Sequence, residues 1–234
     1  MAKNLLKPTA HQTFRIEHVA ELKGNGVDFG AELERSHNAE SKGRYEEACE
    51  VRFAAVQQLV ELLPEDEVVE LDWEDSYTQK AMELIYLSAV DFFLVGDWEM
   101  AAAQLEMLLD ADSEDHLEAS RLLAYCYVAL EEYESFDEVI NDLSDKSPDR
   151  AILLLWSEFR RGGRLPEGEL MRMRRSFGPY LKEFTAASHN VNEWYLEQIG
   201  SEHPSKEALA RELWLQTEHL WTEHSDFIAA LQKA

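Results

Sequence analysis

Two histidines near the end of the chain are the first residues whose type could support metal chemistry. His219 and His224 stand beside Glu218 and Glu223 in a segment of helical periodicity. A helical zinc motif needs its ligands at positions i and i+4, because the helical turn brings those side chains onto one face. The two histidines are separated by five positions. The spacing therefore favours a solvated helix end, and we expect no metal site there.

A run of alternating acidic residues is the second candidate, a calcium-binding loop. Its carboxylates are Asp110, Asp112, Glu114 and Asp115. A calcium loop also needs a central glycine for its turn and a glutamate at its last ligand position, and this segment has neither. We therefore expect an acidic connection between two helices.

The densest basic region contains six arginines, which are Arg160, Arg161, Arg164, Arg172, Arg174 and Arg175. They could bind an acidic partner or the acidic surface of the chain itself, and the strong negative charge of the protein favours the second. Trp214 and Trp221 share one predicted helix face, which fits a packing seam better than a ligand site. The sequence contains no nucleophile-elbow or phosphate-loop pattern. We therefore expect a non-enzymatic protein without a cofactor.

The net charge narrows the classes of partner. The 234 residues include 47 acidic and 22 basic side chains, which give a formal net charge of -25. A phosphate backbone needs a dense basic footprint, and an anionic membrane repels such a chain, so we expect neither nucleic-acid nor membrane binding. A basic protein or peptide fits better. The alternative is that the acids only coat exposed helix faces.

Cysteine use and the apolar runs indicate the compartment. Cys49 and Cys126 form no C-x-x-C pair and stand among apolar helical positions, which is typical of free thiols in a reducing cytosol. Residues 1–10 contain no signal-peptide run, and no stretch approaches the length of a membrane span. We expect a soluble, cytoplasmic protein.

Apolar residues recur at helical spacing through most of the chain and predict an all-α fold. Gly96 and Gly162-Gly163 are suited to helix ends, and Pro148 cannot continue a helix. The predicted helices cover 31–42, 48–63, 77–95, 101–109, 117–130, 133–143, 150–161, 167–176, 180–184, 191–199, 208–221 and 225–231.

Two parts of the chain lack this pattern. Residues 1–28 are predicted to form an N-terminal arm, either mobile or laid along the first helices, in which Phe14, Ile16 and Val19 could pack as a short element. The segment 68–71 is the only candidate strand, and it is short and flanked by acids.

A turn signature recurs between the predicted helices. Gly96-Asp97-Trp98 has the small residue Ala89 before it and Ala101 after it. Similar segments are Gly43-Arg44-Tyr45 and Glu131-Glu132-Tyr133. In these positions the chain resembles the tetratricopeptide repeat family, whose unit is two antiparallel helices of about 34 residues.

The resemblance covers residues 29–177 and is degenerate. Phe136 and Trp156 stand where small residues belong, and Arg35 and Ser36 stand where apolar and small residues belong. The resemblance implies a right-handed superhelical stack of antiparallel helix pairs, with residues 178–234 as a helical C-terminal cap in the same domain. Trp214, Leu220 and Trp221 could cover the end of the stack.

A narrower resemblance rests on Phe159-Arg160-Arg161-Gly162-Gly163, on Gly178-Pro179-Tyr180 and on the tryptophan-containing helix that follows. These segments are similar to bacterial tetratricopeptide proteins related to the suppression of tumorigenicity 7 family. That resemblance implies a repeat fold and no particular activity.

The tetratricopeptide resemblance also implies where a partner binds. The first helix of each pair lines the concave groove, so the expected partner-binding residues are His37, Glu40, Tyr86, Phe93, Arg121 and Tyr125. The alternative for Tyr86, Phe93 and Tyr125 is an ordinary core position. The predicted function is a scaffold or adaptor that binds a protein or peptide, possessing no catalytic residues. The alternatives are a structural protein that associates with itself through the C-terminal helix, and an enzyme whose dispersed site short motifs do not reveal.

Overall fold

The computed structural model describes residues 5–18, 27–64 and 69–234. The part of the predicted N-terminal arm at 1–4 and 19–26, and residue 68 of the candidate strand, lie outside the described residues. The strands are β1 (Leu6–Ala10), β2 (Thr13–Ile16) and β3 (Glu70–Leu71). The helices are α1 (Phe29–Ser41), α2 (Tyr45–Val60), α3 (Ser76–Leu94), α4 (Trp98–Ala111), α5 (Ala119–Leu130), α6 (Tyr133–Val139), α7 (Pro148–Gly162), α8 (Glu167–Ser176), α9 (Gly178–Phe184), α10 (Glu193–Ile199), α11 (Lys206–Glu223) and α12 (Ser225–Lys233).

The chain forms two compact units, Met1–Leu123 and Ala124–Ala234. The first contains the sheet and α1 to α4, and the second contains α6 to α12. The division falls within α5. The fold is mostly helical, as the apolar periodicity predicts.

A small sheet corrects the all-α prediction. β1 and β2 form an antiparallel hairpin, and β3 pairs with β2 in parallel. Ile16 is buried, and its N–H donates to Oγ1 of Thr78 in α3 at 2.9 Å, so the hairpin lies against that helix. β3 falls within the candidate strand 68–71. The hairpin was not predicted, because four of the five β1 residues are exposed and the segment lacks an alternation of apolar and polar residues.

Aspartate side chains begin three of the helices in the first unit. Asp28, Asp75 and Asp97 are the N-cap residues of α1, α3 and α4, and each carboxylate accepts a backbone hydrogen bond that the first helical turn would otherwise leave unsatisfied. The three donors are the N–H groups of Ala31, Thr78 and Met100, at 3.1, 2.9 and 3.2 Å.

Three helices end in the same turn. Gly43, Gly96 and Glu131 follow α1, α3 and α5, and each adopts a left-handed conformation with φ of 70°, 80° and 64°. The residue after each one donates to a carbonyl five positions back, which is the Schellman arrangement. These bonds are Arg44 N–H to Ala39 at 2.9 Å, Asp97 N–H to Phe92 at 3.0 Å and Glu132 N–H to Tyr127 at 2.9 Å.

The core of the first unit lies among α1 to α4. α2 packs against α1 and α3, α3 packs against α4, and α1 also contacts α3. Small side chains in these helices are almost completely buried, which lets the helix backbones approach closely. They are Ala48, Ala55, Ala81, Ala89 and Ala101.

The core of the second unit is aromatic. The ring of Trp221 in α11 packs edge-on against Trp156 at 5.2 Å and against Phe184 at 5.3 Å. Trp214 and Leu220, from the same apolar stripe of α11, are also buried. The apolar face of α11 is therefore used within its own unit.

Candidate functional site

α1 and α3 contact each other in the first unit, and a side-chain contact joins the two helices. Nε2 of His37 in α1 lies 4.0 Å from Oε1 of Glu83 in α3, and both side chains are nearly half exposed. Glu40 follows His37 by one helical turn, and Tyr86 follows Glu83 in the same way, so each pair shares a helix face. We call His37, Glu40, Glu83 and Tyr86 the α1–α3 face.

A buried arginine supports this face. The side chain of Arg52 in α2 is 3% exposed, and its guanidinium donates to Glu40 at 2.7 Å and to Asp91 at 2.9 Å. Its Nε donates to Oγ of Ser36 at 3.3 Å. A buried guanidinium must be paired and hydrogen-bonded, and here carboxylates from α1 and α3 satisfy it. Arg52 thus joins three helices and holds the Glu40 carboxylate in place.

Two titratable side chains near Arg52 have raised pKa values, those of Asp91 and Cys49. Burial raises the pKa of Asp91, and the positive charge of Arg52 opposes that rise. Burial, together with the nearby Asp91 carboxylate, raises the pKa of Cys49 to about 11. Cys49 is therefore a neutral thiol at pH 7, which is a weak nucleophile. The chemistry that this region offers is hydrogen bonding and charge pairing.

The structure places the six predicted groove residues in different environments. His37, Glu40 and Tyr86 belong to the α1–α3 face, and Arg121 is half-buried in α5. Phe93 is 2% exposed and packs edge-on against Trp98, with ring centroids 5.2 Å apart.

Tyr125, in the second unit, is a core residue like Phe93. It is fully buried, and its hydroxyl donates to Asp149 at 3.2 Å. Neither ring reaches the surface, because each fills space between packed helices. Phe93 and Tyr125 are therefore core residues, which was the alternative to a groove position.

Arg52, Glu83 and Asp91 are not among the residues predicted from the sequence. Arg52 and Asp91 interrupt the apolar stripes of α2 and α3, and a charged residue within such a stripe is a signal of a buried pair. Nothing in the spacing shows that the two residues meet, because 39 positions separate them.

Three of the six clustered arginines pair with acids of their own unit, which agrees with the favoured interpretation for those three. Arg160 contacts Glu131 at 2.5 Å, and Arg161 contacts Asp137 at 2.5 Å. Further contacts join Arg172 to Asp145 and Glu169 at 3.3 and 3.8 Å.

The two candidate metal motifs have other partners. Nδ1 of His224 accepts a hydrogen bond from Arg160 at 2.9 Å, since arginine can only donate. Burial and the Arg160 charge lower the pKa of His224. In the acidic loop, Asp115 accepts from the N–H of Ala119 and from the hydroxyl of Ser120, so its carboxylate caps α5.

The described residues contain neither a metal-binding cluster nor a helix that could span a membrane. Within 5–18, 27–64 and 69–234, no group of three or more histidine, cysteine or carboxylate side chains could hold a metal ion. None of the described helices is both long and apolar enough to cross a bilayer.

Comparison of the chain with protein-family models, with curated proteins and with solved structures finds no match in any of the three. The tetratricopeptide resemblance and the narrower one therefore rest on the residues quoted above.

Proposed function

We propose that the protein is a non-enzymatic interaction module that binds a basic peptide or helix of a cytoplasmic partner protein at the α1–α3 face. The observation that carries this proposal is the contact of α1 with α3, at which His37 meets Glu83 and from which Glu40 and Tyr86 follow one helical turn later. The buried Arg52 side chain holds the Glu40 carboxylate in an ion pair, so part of the surface is ordered before a partner binds. Preorganisation of this kind lowers the entropy lost on binding.

The chemistry of the face suits a lysine- or arginine-containing segment. Glu40 and Glu83 supply negative charge, and the net charge of the protein would speed the approach of a basic partner. Tyr86 is half-buried and offers an aromatic surface, and tyrosine is enriched among residues that dominate binding energy.

A repeat architecture is part of the proposal. The same turn ends α1, α3 and α5, and alanines are buried where the tetratricopeptide unit needs small residues. A stack of such pairs exposes the first helix of each pair along one side, which is the side proposed here for the partner.

The test replaces Tyr86 with the photo-crosslinking residue benzoylphenylalanine in the full-length protein, expressed in its native host. The control places the same residue at Tyr45, which is 64% exposed on α2. We expect one protein to crosslink at position 86 and not at 45, and to disappear in a Glu83→Lys background. Equal labelling at both positions, or labelling that Glu83→Lys leaves unchanged, would overturn the proposal.

Self-association through the C-terminal helix is the alternative proposal. It has less support, since Trp214, Leu220 and Trp221 are buried within the second unit and Leu209 is the exposed large apolar residue of α11. Sedimentation velocity over a wide concentration range tests it, and a concentration-independent monomer would remove it.

A further inference from the structure

Exposed apolar side chains of the second unit concentrate around α10. Among the described residues of that unit, the exposed large hydrophobic side chains are Met171, Val191, Trp194, Leu196 and Leu209. Four of them fall between positions 191 and 209: Val191 just before α10, Trp194 and Leu196 within it, and Leu209 in the first turn of α11. We call Val191, Trp194, Leu196 and Leu209 the α10 surface.

The orientation of α10 explains this exposure. Tyr195 is buried, and its hydroxyl donates to Glu212 of α11, which fixes the inward face of the short helix. Neighbouring helical residues point about 100° apart, so Trp194 and Leu196 lie on the two flanks of that inward face. Only a partner that lies on the outward side of α10, opposite Tyr195, would contact both side chains.

Local helix capping accounts for only part of the α10 surface. Asn192 is the N-cap of α10, so Val191 and Leu196 occupy the positions of a hydrophobic staple. Even so, these two side chains remain 58% and 57% exposed. Trp194 lies outside the staple and is 44% exposed. An exposed tryptophan beside aliphatic residues is characteristic of an interaction site.

The charges around the α10 surface indicate the occupant. Residues 191–209 contain four glutamates and a single lysine, and all five side chains are on exposed residues. They are Glu193, Glu197, Glu202, Glu207 and Lys206. A second copy binding through the same patch would place these glutamates against each other, because a two-fold interface is self-complementary. An anionic lipid surface would be repelled in the same way.

We propose that the α10 surface docks a basic amphipathic helix of a partner protein, with Trp194 as the buried anchor. The apolar stripe of the incoming helix covers Val191, Trp194 and Leu196, and its lysines or arginines pair with the surrounding glutamates. This surface belongs to the second unit, and the proposal does not depend on the α1–α3 face.

The test titrates the full-length protein with a synthetic helical peptide of lysine and leucine, followed by calorimetry and by protection of tryptophan fluorescence from acrylamide. Trp194→Ala is expected to weaken binding about tenfold or more, which is the range of an anchor residue. Leu196→Ala weakens it several-fold, whereas the matched control Leu94→Ala, at an exposed position of the first unit, leaves it unchanged.

A second pair of variants tests the charges. Glu193→Gln/Glu197→Gln is expected to weaken binding several-fold and to flatten its salt dependence. The control Glu46→Gln/Glu50→Gln removes two exposed glutamates with the same spacing from α2 and has little effect. Circular dichroism verifies that each variant is folded.

Three results would overturn the proposal. The first is equal binding by wild type and Trp194→Ala, which would mean that the peptide is attracted only by net charge. The second is equal binding of a peptide with glutamate in place of lysine. The third is a dimer that depends on Trp194, which would make a second copy the occupant.

Discussion

Substituting Gly43 by alanine measures how much the recurring turn depends on its left-handed residue. Gly43 has φ of 70°, and a Cβ atom added there would meet no atom within 4 Å. The substitution therefore adds no steric clash and removes no side-chain contact. Only the backbone conformation is penalised.

The magnitude follows from two opposing terms. A left-handed conformation costs a residue with a Cβ atom about 1–2 kcal/mol. Alanine also restricts the unfolded chain, which returns about 0.4–1 kcal/mol. We expect Gly43→Ala to lower the free energy of unfolding by about 1 kcal/mol. With a urea m-value of about 2–3 kcal/mol/M, the midpoint falls by about 0.3–0.5 M.

Gly168 provides the matched control. It lies in α8, and an added Cβ atom would again meet nothing within 4 Å. There alanine favours the helix, so Gly168→Ala raises the free energy of unfolding by about 0.5–1 kcal/mol. Urea unfolding followed by circular dichroism checks both variants. If Gly43→Ala were neutral or stabilising with an unchanged m-value, the argument that this turn requires a left-handed residue would be wrong.

Three further substitutions test other parts of the structure by the same urea assay. Glu131→Gly should be more stable than Glu131→Ala by about 1 kcal/mol, because both variants lose the side-chain contact with Arg160 and only glycine relieves the left-handed backbone; equal stability would contradict this. Arg52→Met should lower stability by about 3–5 kcal/mol, since Asp91 is left buried without its cation, and Arg52→Met/Asp91→Asn should recover part of the loss. The pKa of His224 is lowered in the folded protein, so as the pH falls the unfolded protein takes up this proton before the folded protein does. The contribution of His224 to stability is therefore complete above its ordinary pKa of 6.5 and is lost as the pH falls below that value. Between pH 7.5 and 5.5, wild type should therefore lose more stability than His224→Asn, and parallel losses would refute the assignment.

The helices were predictable where an apolar stripe or a clear boundary marks them. The segment 167–176 lies between Pro166 and Gly178, and the observed helix α8 has the same limits. The hairpin was not predictable, because β1 and β2 have few buried side chains and are stabilised by Thr78 from a distant helix. The local pattern of apolar residues cannot predict a contact between residues 62 positions apart.

Some residues of the candidate site could be predicted from the sequence and others could not. His37, Glu40 and Tyr86 were selected from their positions in the helix pairs, and α1 and α3 are in contact as that selection requires. The role of Arg52 was not predictable, since it depends on where the side chain of Asp91 lies in the folded protein. The burial of Phe93 depends on tertiary packing as well, because a helical stripe alone does not show which aromatic residues at its margin are covered.

The charge balance of the chain determines which residues can confer specificity. Several arginines, including Arg52, Arg160 and Arg161, are already paired with carboxylates of the same chain. With 47 acidic and 22 basic side chains, a large surplus of carboxylates remains even if every cation is paired. Such a surplus attracts any basic segment and sets the rate and salt dependence of association more than its selectivity. Selectivity must then come from aromatic residues at fixed positions, and the structure provides Tyr86 in the first unit and Trp194 in the second. At the two proposed surfaces, truncating Tyr86 or Trp194 should therefore reduce the discrimination between basic partners more than removing a single glutamate does.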